Sequence, residues 1–374
     1  METPKQFSYE CCSVQATRCV ECVKRKIAMK RAVYSLGLGI TGGALGNYLD
    51  IPLGWLLGAM VANMVASMQG LSVEVPNWLR TLALMALGVM LGTAFSPELL
   101  ERIHRWALTM TGMICYLAVA VPWAMYYGRK VTGFDRLTAI FSSIPGGLSF
   151  MVILGSSVGA NPRTIALAHT ARLVTILIVL PIIINRLADA GLAGDFVLTT
   201  ANAPINLEAA GIFFAVAVCG SIIARSLRIP SPYLLGPMAL MLVLELTGLT
   251  HLQPPIAFTS LTQVVIGASI GTAFSGTRPH ELVKTLFLSS GLTLSLLAFS
   301  AVFAYGLNQW TGIGFAALLL AFVPGGLAEI GMLALILNID PVFVASHHAV
   351  RVLLISVLVP LLATHWFKQK SFKP

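Results

Sequence analysis

The same short motifs occur twice along this chain, in the same order and at nearly the same spacing. Ile51-Pro52 and Leu56-Leu57-Gly58 return as Ile229-Pro230 and Leu234-Leu235-Gly236, 178 residues later (236 − 58). Gly92-Thr93-Ala94-Phe95-Ser96 returns as Gly271-Thr272-Ala273-Phe274-Ser275, now 179 residues later (271 − 92). Pro145, His169, Arg172 and Pro181 return as Pro324, His348, Arg351 and Pro360, all at 179 (351 − 172). One inserted residue over so long a span is not chance. The period is far above that of solenoid repeats, so it marks two homologous halves rather than an array.

What each half is made of follows from hydropathy. The chain is 57% apolar and only 10% charged, where a soluble protein carries about 25% charge. Apolar runs of about twenty residues, each long enough to cross a bilayer core, recur from Arg31 onward. The expected fold is an all-α polytopic membrane protein of two homologous halves, with about 10–12 segments in all. Residues 1–30 form a polar extension, 31–187 the first membrane repeat, 188–206 a connector, 207–366 the second repeat and 367–374 a basic tail.

The net charge of +9 gathers near the ends, with Lys24, Arg25, Lys26, Lys30 and Arg31 at one and Lys368, Lys370 and Lys373 at the other. Such clusters read as cytoplasmic anchors beside a membrane. No aromatic-interleaved basic module accompanies them, so no nucleic-acid partner is expected. The first thirty residues lack an apolar core and do not read as a cleaved signal. They hold Cys11, Cys12, Cys19 and Cys22, which suit either an unstructured extension or a zinc knot. Cys115 and Cys219 stand alone in apolar runs and read as core. The expected location is the bacterial inner membrane, multi-pass, with both termini cytoplasmic.

Each half shows six apolar segments, and the charges choose which of them cross. If all six crossed, Arg225, Arg228, Arg278 and Lys284 would lie outside. If the fifth enters and leaves on one side, those residues fall inside with Arg129, Lys130, Arg136 and Arg163, and the acidic connector falls outside. Arg102 and Arg105 fall outside in either scheme. The halves are then inverted repeats of five crossing helices plus one broken or re-entrant segment each. The fifth segments carry Pro145-Gly146-Gly147 and Pro324-Gly325-Gly326. Proline removes a backbone donor and glycine weakens helix. Broken backbone at membrane depth survives only where it is buried in protein or lines a wet cavity.

Ionisable residues inside these segments are the candidate site. His169 and Arg172 are three apart on one helix face, and His348 and Arg351 repeat them. The arginines have two readings: paired anchors for an anionic solute such as a carboxylate, or ties for the carbonyls of the broken helices. Glu329 follows the second Pro-Gly-Gly, and its equivalent is Phe150 (329 − 179). It would pair with Arg351 or carry a coupling proton. His347, equivalent to Ala168, would face a loop. Asn63 would bond across helices, Pro52 and Pro230 would start helices, and the two GTAFS motifs would end them. The seven histidines are scattered, with no HxxxH, HExxH or nucleotide-binding loop, so no cofactor, metal or enzyme activity is expected.

The doubled IPxxxLLGxM, GTAFS, PGGL and HxxR pattern resembles the AbrB family of bacterial membrane proteins, over residues 31–366. The resemblance implies a duplicated membrane fold and carries two functional labels, regulator of gene expression and ammonia monooxygenase. The leading expectation is an inner-membrane secondary transporter or solute-sensing permease for a small, anionic molecule. One half would rock against the other around the two breaks. The alternative is a membrane protein regulating gene expression indirectly; a membrane monooxygenase stands third, lacking a metal-ligand cluster. The partners expected are the lipid bilayer and a small-molecule solute, and a homodimer is compatible with both.

Overall fold

The computed structural model describes residues 28–51, 53–95, 103–189, 207–249, 256–275 and 279–368. The cysteine-rich extension, Pro52, Ser96, Arg102, most of the connector, Arg278 and the lysines of the tail beyond Lys368 lie outside them. Every regular element among the described residues is a helix: α1 (28–48), α2 (Gly54–Met68), α3 (Asn77–Gly92), α4 (Ile103–Lys130), α5 (Arg136–Ser143), α6 (Leu148–Ser157) and α7 (Pro162–Asp189), then α8 (Leu207–Ser226), α9 (Pro232–Leu246), α10 (Ile256–Thr272), α11 (Pro279–Thr311), α12 (Phe315–Phe322), α13 (Leu327–Ile336) and α14 (Pro341–Lys368). Bounds follow the sequence register: α9 starts 178 residues after α2 (232 − 54), and α12, α13 and α14 start 179 after α5, α6 and α7 (315 − 136).

Among the described residues, five helical stretches are long and apolar enough to cross a membrane: Trp106–Lys130, Pro162–Leu187, Ala209–Ser226, Val283–Thr311 and Pro341–Val359. α2, α3 and α9 are apolar but shorter; fifteen or sixteen residues reach only about 23 Å, against a core of about 30 Å. α4 and α11 turn large apolar side chains such as Ile114, Phe287 and Val302 outward, while α7 and α14 are mostly covered.

The helices sort into two bundles, and each bundle draws on both ends of the chain. In the first, α2 packs on α10, α3 on α9, and α8 on α9. Glycines set these crossings. A Cβ on Gly58 would run into the Gly42 carbonyl of α1, and a Cβ on Gly236 into the Gly220 carbonyl of α8. Gly88 meets the Leu234 carbonyl, and Gly267 the Leu56 carbonyl. Close approach of this kind is how helices associate in lipid, where no hydrophobic drive separates helix from solvent. Asn63 secures α2 to α1 as expected: Ser35 Oγ donates to Asn63 Oδ1 at 2.7 Å, and Asn63 Nδ2 donates to the Ser35 carbonyl at 3.1 Å. The second bundle joins α4–α7 to α11–α14, with α11 against α4 and α7; α3 bridges the bundles by touching α13 and α14.

The broken segments are hairpins. Asn161 N, at the base of α7, donates to Thr138 Oγ1 near the start of α5 at 2.9 Å, so the two helices begin side by side. Ser143, at the end of α5, reaches Arg172 in mid-α7. α6 then returns, and only Val158–Asn161 separates its end from α7. At eight and ten residues, α5 and α6 reach about 12 and 15 Å, roughly half a bilayer core. Ile144 is extended, as a residue before proline prefers. Gly146 folds over Met151 and Gly325 over Ile330, so a Cβ at either glycine would displace that side chain.

Asp135 starts the first hairpin, its Oδ2 accepting from Thr138 N at 3.1 Å. Burial alone would raise its carboxyl pKa, but hydrogen bonds from Thr138 outweigh that and hold it below the usual carboxylate range. Asp135→Ala is expected to cost about 1 kcal/mol at neutral pH. Thermal unfolding of the detergent-purified protein measures it. The wild-type advantage is present above the unfolded aspartate pKa and vanishes as pH falls through the depressed folded value; Asp135→Asn keeps most of it.

Three local expectations change. Cys115 and Cys219 are exposed on α4 and α8, not core; an outward face in lipid is as apolar as an interior. Pro230 lies two residues before α9, whose first position is Pro232. His347 is fully buried rather than facing a loop. Its Nδ1 lies 2.8 Å from the Phe343 carbonyl and its Nε2 2.8 Å from Thr109 Oγ1, which ties α14 to α4.

Candidate functional site: two pinned hairpin tips

A helix end leaves carbonyls without partners. α5 and α12 end inside the protein, where water cannot supply donors. The HxxR pairs supply them. His169 Nε2 donates to the Phe141 carbonyl at 2.9 Å, and Arg172 Nη1 donates to the Ser143 carbonyl at 3.3 Å. In the second half, His348 Nε2 donates to the Leu320 carbonyl at 2.9 Å, and Arg351 Nη1 to the Val323 carbonyl at 2.7 Å. A carbonyl only accepts, so both rings carry the proton on Nε2. Each Nδ1 is then free to accept from its arginine, at 2.7 Å from Arg172 Nη2 and 2.8 Å from Arg351 Nη2. Spacing explains the unit: three residues along a helix place ring and guanidinium on one face. A cation also suits the negative end of a short helix.

The carbonyl-tying reading of the arginines is therefore the one the geometry displays. All four side chains are buried, Arg172 at 6% and Arg351 at 1% exposure. The two pairs are not equal. Arg351 Nη2 also donates to the Gly325 carbonyl at 2.5 Å. Both arginines keep a buried Nε without a hydrogen-bond partner. They lie within electrostatic reach of each other and of Tyr116.

Glu329 forms no ion pair with Arg351. Its carboxylate folds over Gly326, at the start of α13, filling the space a Cβ would take there. It feels the charge of Arg80 on α3 and its own backbone N–H. The position is the first turn of α13, where unpaired N–H groups and the helix dipole favour an anion. α6 has Phe150 at the equivalent place and open space beside Gly147. Pro145 and Pro324 sit at the two turns with Gly146-Gly147 and Gly325-Gly326 following, so all five charged or histidine candidates gather around the tips.

Sequence reading missed Tyr116 and Ser300. Ser300 Oγ donates to Tyr116 Oη at 3.1 Å, and also lies 3.2 Å from the Phe322 carbonyl. Tyr116 is 1% exposed in mid-α4 and packs edge-on against Phe303 and Phe322. A lone tyrosine in an apolar run gives no signal of its own. Among the described residues no group of three or more His, Cys, Asp or Glu could hold a metal ion.

Buried half-length hairpins, pinned by intramembrane His–Arg pairs and surrounded by long apolar helices, define a multi-pass helical membrane protein. The chain belongs to the AbrB family: the family model described as "Transition state regulatory protein AbrB" matches residues 55–367. It is similar to "Uncharacterized protein YhjN" of Bacillus subtilis (strain 168), 24% identical over 366 residues, covering 90% of this chain and 94% of that one. It is also similar to "Putative regulator AbrB" of Escherichia coli (strain K12), 25% identical over 325 residues, covering 84% and 90%.

Proposed function

We propose that this protein is an inner-membrane secondary transporter, or a solute-sensing permease, for a small anionic molecule. The paired hairpins carry the reading. Breaking two helices inside the protein costs backbone hydrogen bonds, and four buried ionisable side chains repair only the carbonyl ends. The opposite ends, the starts of α6 and α13, keep their positive poles. One is occupied by the Glu329 carboxylate and the other is open, which favours a solute bearing a carboxylate or similar group. Glu329 would couple or compete with it. Arg172 and Arg351 act with His169 and His348 by holding the tips at the right depth.

The helix register and the crosswise packing of α2 on α10 and α3 on α9 favour two homologous, inverted halves with both termini cytoplasmic. They also favour a different motion from rocking of the halves. Helices of both halves interlock within each bundle, so the moving bodies are the α1–α3/α8–α10 bundle and the hairpin-bearing bundle, hinged where α3 meets α13 and α14. Reporter fusions after Ser226 and Gly248 should report cytoplasm and periplasm respectively; the reverse would mean parallel halves.

Flux into proteoliposomes tests the transport reading. Uptake of at least one of formate, acetate or a small dicarboxylate should exceed that of empty liposomes. Arg172→Lys and Glu329→Gln should each lower it at least about tenfold, the scale of one charge-assisted hydrogen bond. Uptake no different from empty liposomes would defeat transport, and unchanged flux in both variants would defeat the site. The regulator named among the relatives favours the second reading, in which gene expression responds indirectly to a solute moved or sensed here.

A further inference from the structure

The two tips differ most on the side of Arg172 that faces α4 and α11. A cavity of about 10 Å³ lies there, walled by Gly128, Ser142, Ser143, Ser289, Thr293 and Arg172 itself. Ser143 is 1% exposed, Thr293 1% and Ser289 5%, so these hydroxyls are placed in the interior of the bundle. Arg172 is 94% covered by the same measure (100 − 6), and its Nε has no partner. At the other end the cavity reaches Thr132 and Phe134 in the α4–α5 turn, beside the exposed Arg129, Lys130 and Arg136.

Shifting the five wall positions other than Arg172 by 179 residues gives Leu307, Ala321, Phe322, Met110 and Ile114, none of them polar, while Ala168, which also lines the cavity, gives His347. The second half forms the same hairpin and the same His–Arg pin without a glycine or a single hydroxyl at these positions, so folding does not require them. Arg351 commits both Nη groups to turn carbonyls, whereas Arg172 has one such tie, at 3.3 Å.

We propose that the cavity beside Arg172 is a binding subsite for one small anion, the carboxylate end of a solute or a halide, reached from the basic α4–α5 turn. Arg172 supplies the charge and Nε–H, and Ser289 supplies a hydroxyl donor; Thr293, whose Oγ1 donates to the Ser289 carbonyl at 2.7 Å, holds that turn of α11 in place. Its present volume suits one water-sized group, so the ligand's deepest atom is a single oxygen or halide. The three cations at the turn raise the local anion concentration and speed arrival. This deepens the transport reading by choosing one tip over the other, and rests on it for the identity of the cargo.

The test is equilibrium binding with no gradient. The full-length protein in nanodiscs is heated in sodium formate or sodium bromide, against sodium gluconate at matched ionic strength. Formate, bromide or both should raise the unfolding temperature in a saturable way. In Ser289→Met/Thr293→Ile, which copies the other half, the gluconate unfolding temperature should persist and the apparent Kd should rise at least about tenfold. Ser289→Ala alone should weaken binding in the same direction if the double variant does not fold. Absence of any anion-specific stabilisation in the wild type overturns the subsite, and so does equal stabilisation in the variants. Flux without this stabilisation would leave transport standing and remove the subsite; stabilisation without flux would do the reverse.

Discussion

Arg351→Ala should destabilise the protein by about 2–5 kcal/mol, at about 1–3 kcal/mol for each acceptor left without a donor. Two acceptors lose their donor at once, the Gly325 carbonyl and His348 Nδ1, and the Val323 carbonyl keeps only the Gly325 N–H. Water cannot replace the guanidinium, because the side chain is 1% exposed. Arg172→Ala removes one carbonyl contact, at 3.3 Å, and one ring contact. Its loss should be smaller by about 1 kcal/mol, the net worth of one hydrogen bond. Arg351→Lys should recover little, since a lysine cannot fork between two turn carbonyls. Unfolding temperatures of the three variants in one detergent measure the ranking; equal losses for the two alanine variants would show that the tips are equivalent.

Gly58→Val and Gly236→Val should be as severe. The added Cβ would meet backbone, the carbonyls of Gly42 and Gly220, and backbone cannot rotate away. Relief requires the helices to separate along their length, costing about 3 kcal/mol or more by overpacking and by lost contact. Gly37→Val is the matched control, because nothing lies within 4 Å of its Cβ position; it should change stability by less than about 0.5 kcal/mol. Membrane yield and unfolding temperature separate the two classes. A Gly58→Val protein as stable as Gly37→Val would mean that α1 and α2 do not cross as described.

The tips were the most legible part of the sequence. Proline, paired glycines and His-x-x-Arg are rare inside apolar runs, so Pro145, His169, Arg172 and their later counterparts stood out. Their partners did not, because the arginines bind backbone carbonyls, which every residue has. Glu329 was visible as an asymmetry, but its position over Gly326 depends on a helix start that only the fold reveals. Tyr116 and Ser300 were hidden because hydroxyl-bearing residues are scattered through the apolar helices. Cys115 and Cys219 were misplaced because lipid and protein interior select the same side chains. Nothing in a single sequence told that α2 and α3 would take their closest partners from the other end of the chain.

That interlock has a consequence for biosynthesis. Leu56 of α2 waits for Gly267 of α10, 211 residues further on (267 − 56). At about 5–20 residues per second, the ribosome takes on the order of ten seconds or more to deliver it. Throughout that interval the face of α2 around Leu56 and Met60, and the Gly88–Gly92 face of α3, lack the helices that will cover them. A chain that stalls or is cut after α7 would leave those faces open for good, an outcome that membrane quality-control proteases could read as an orphaned half.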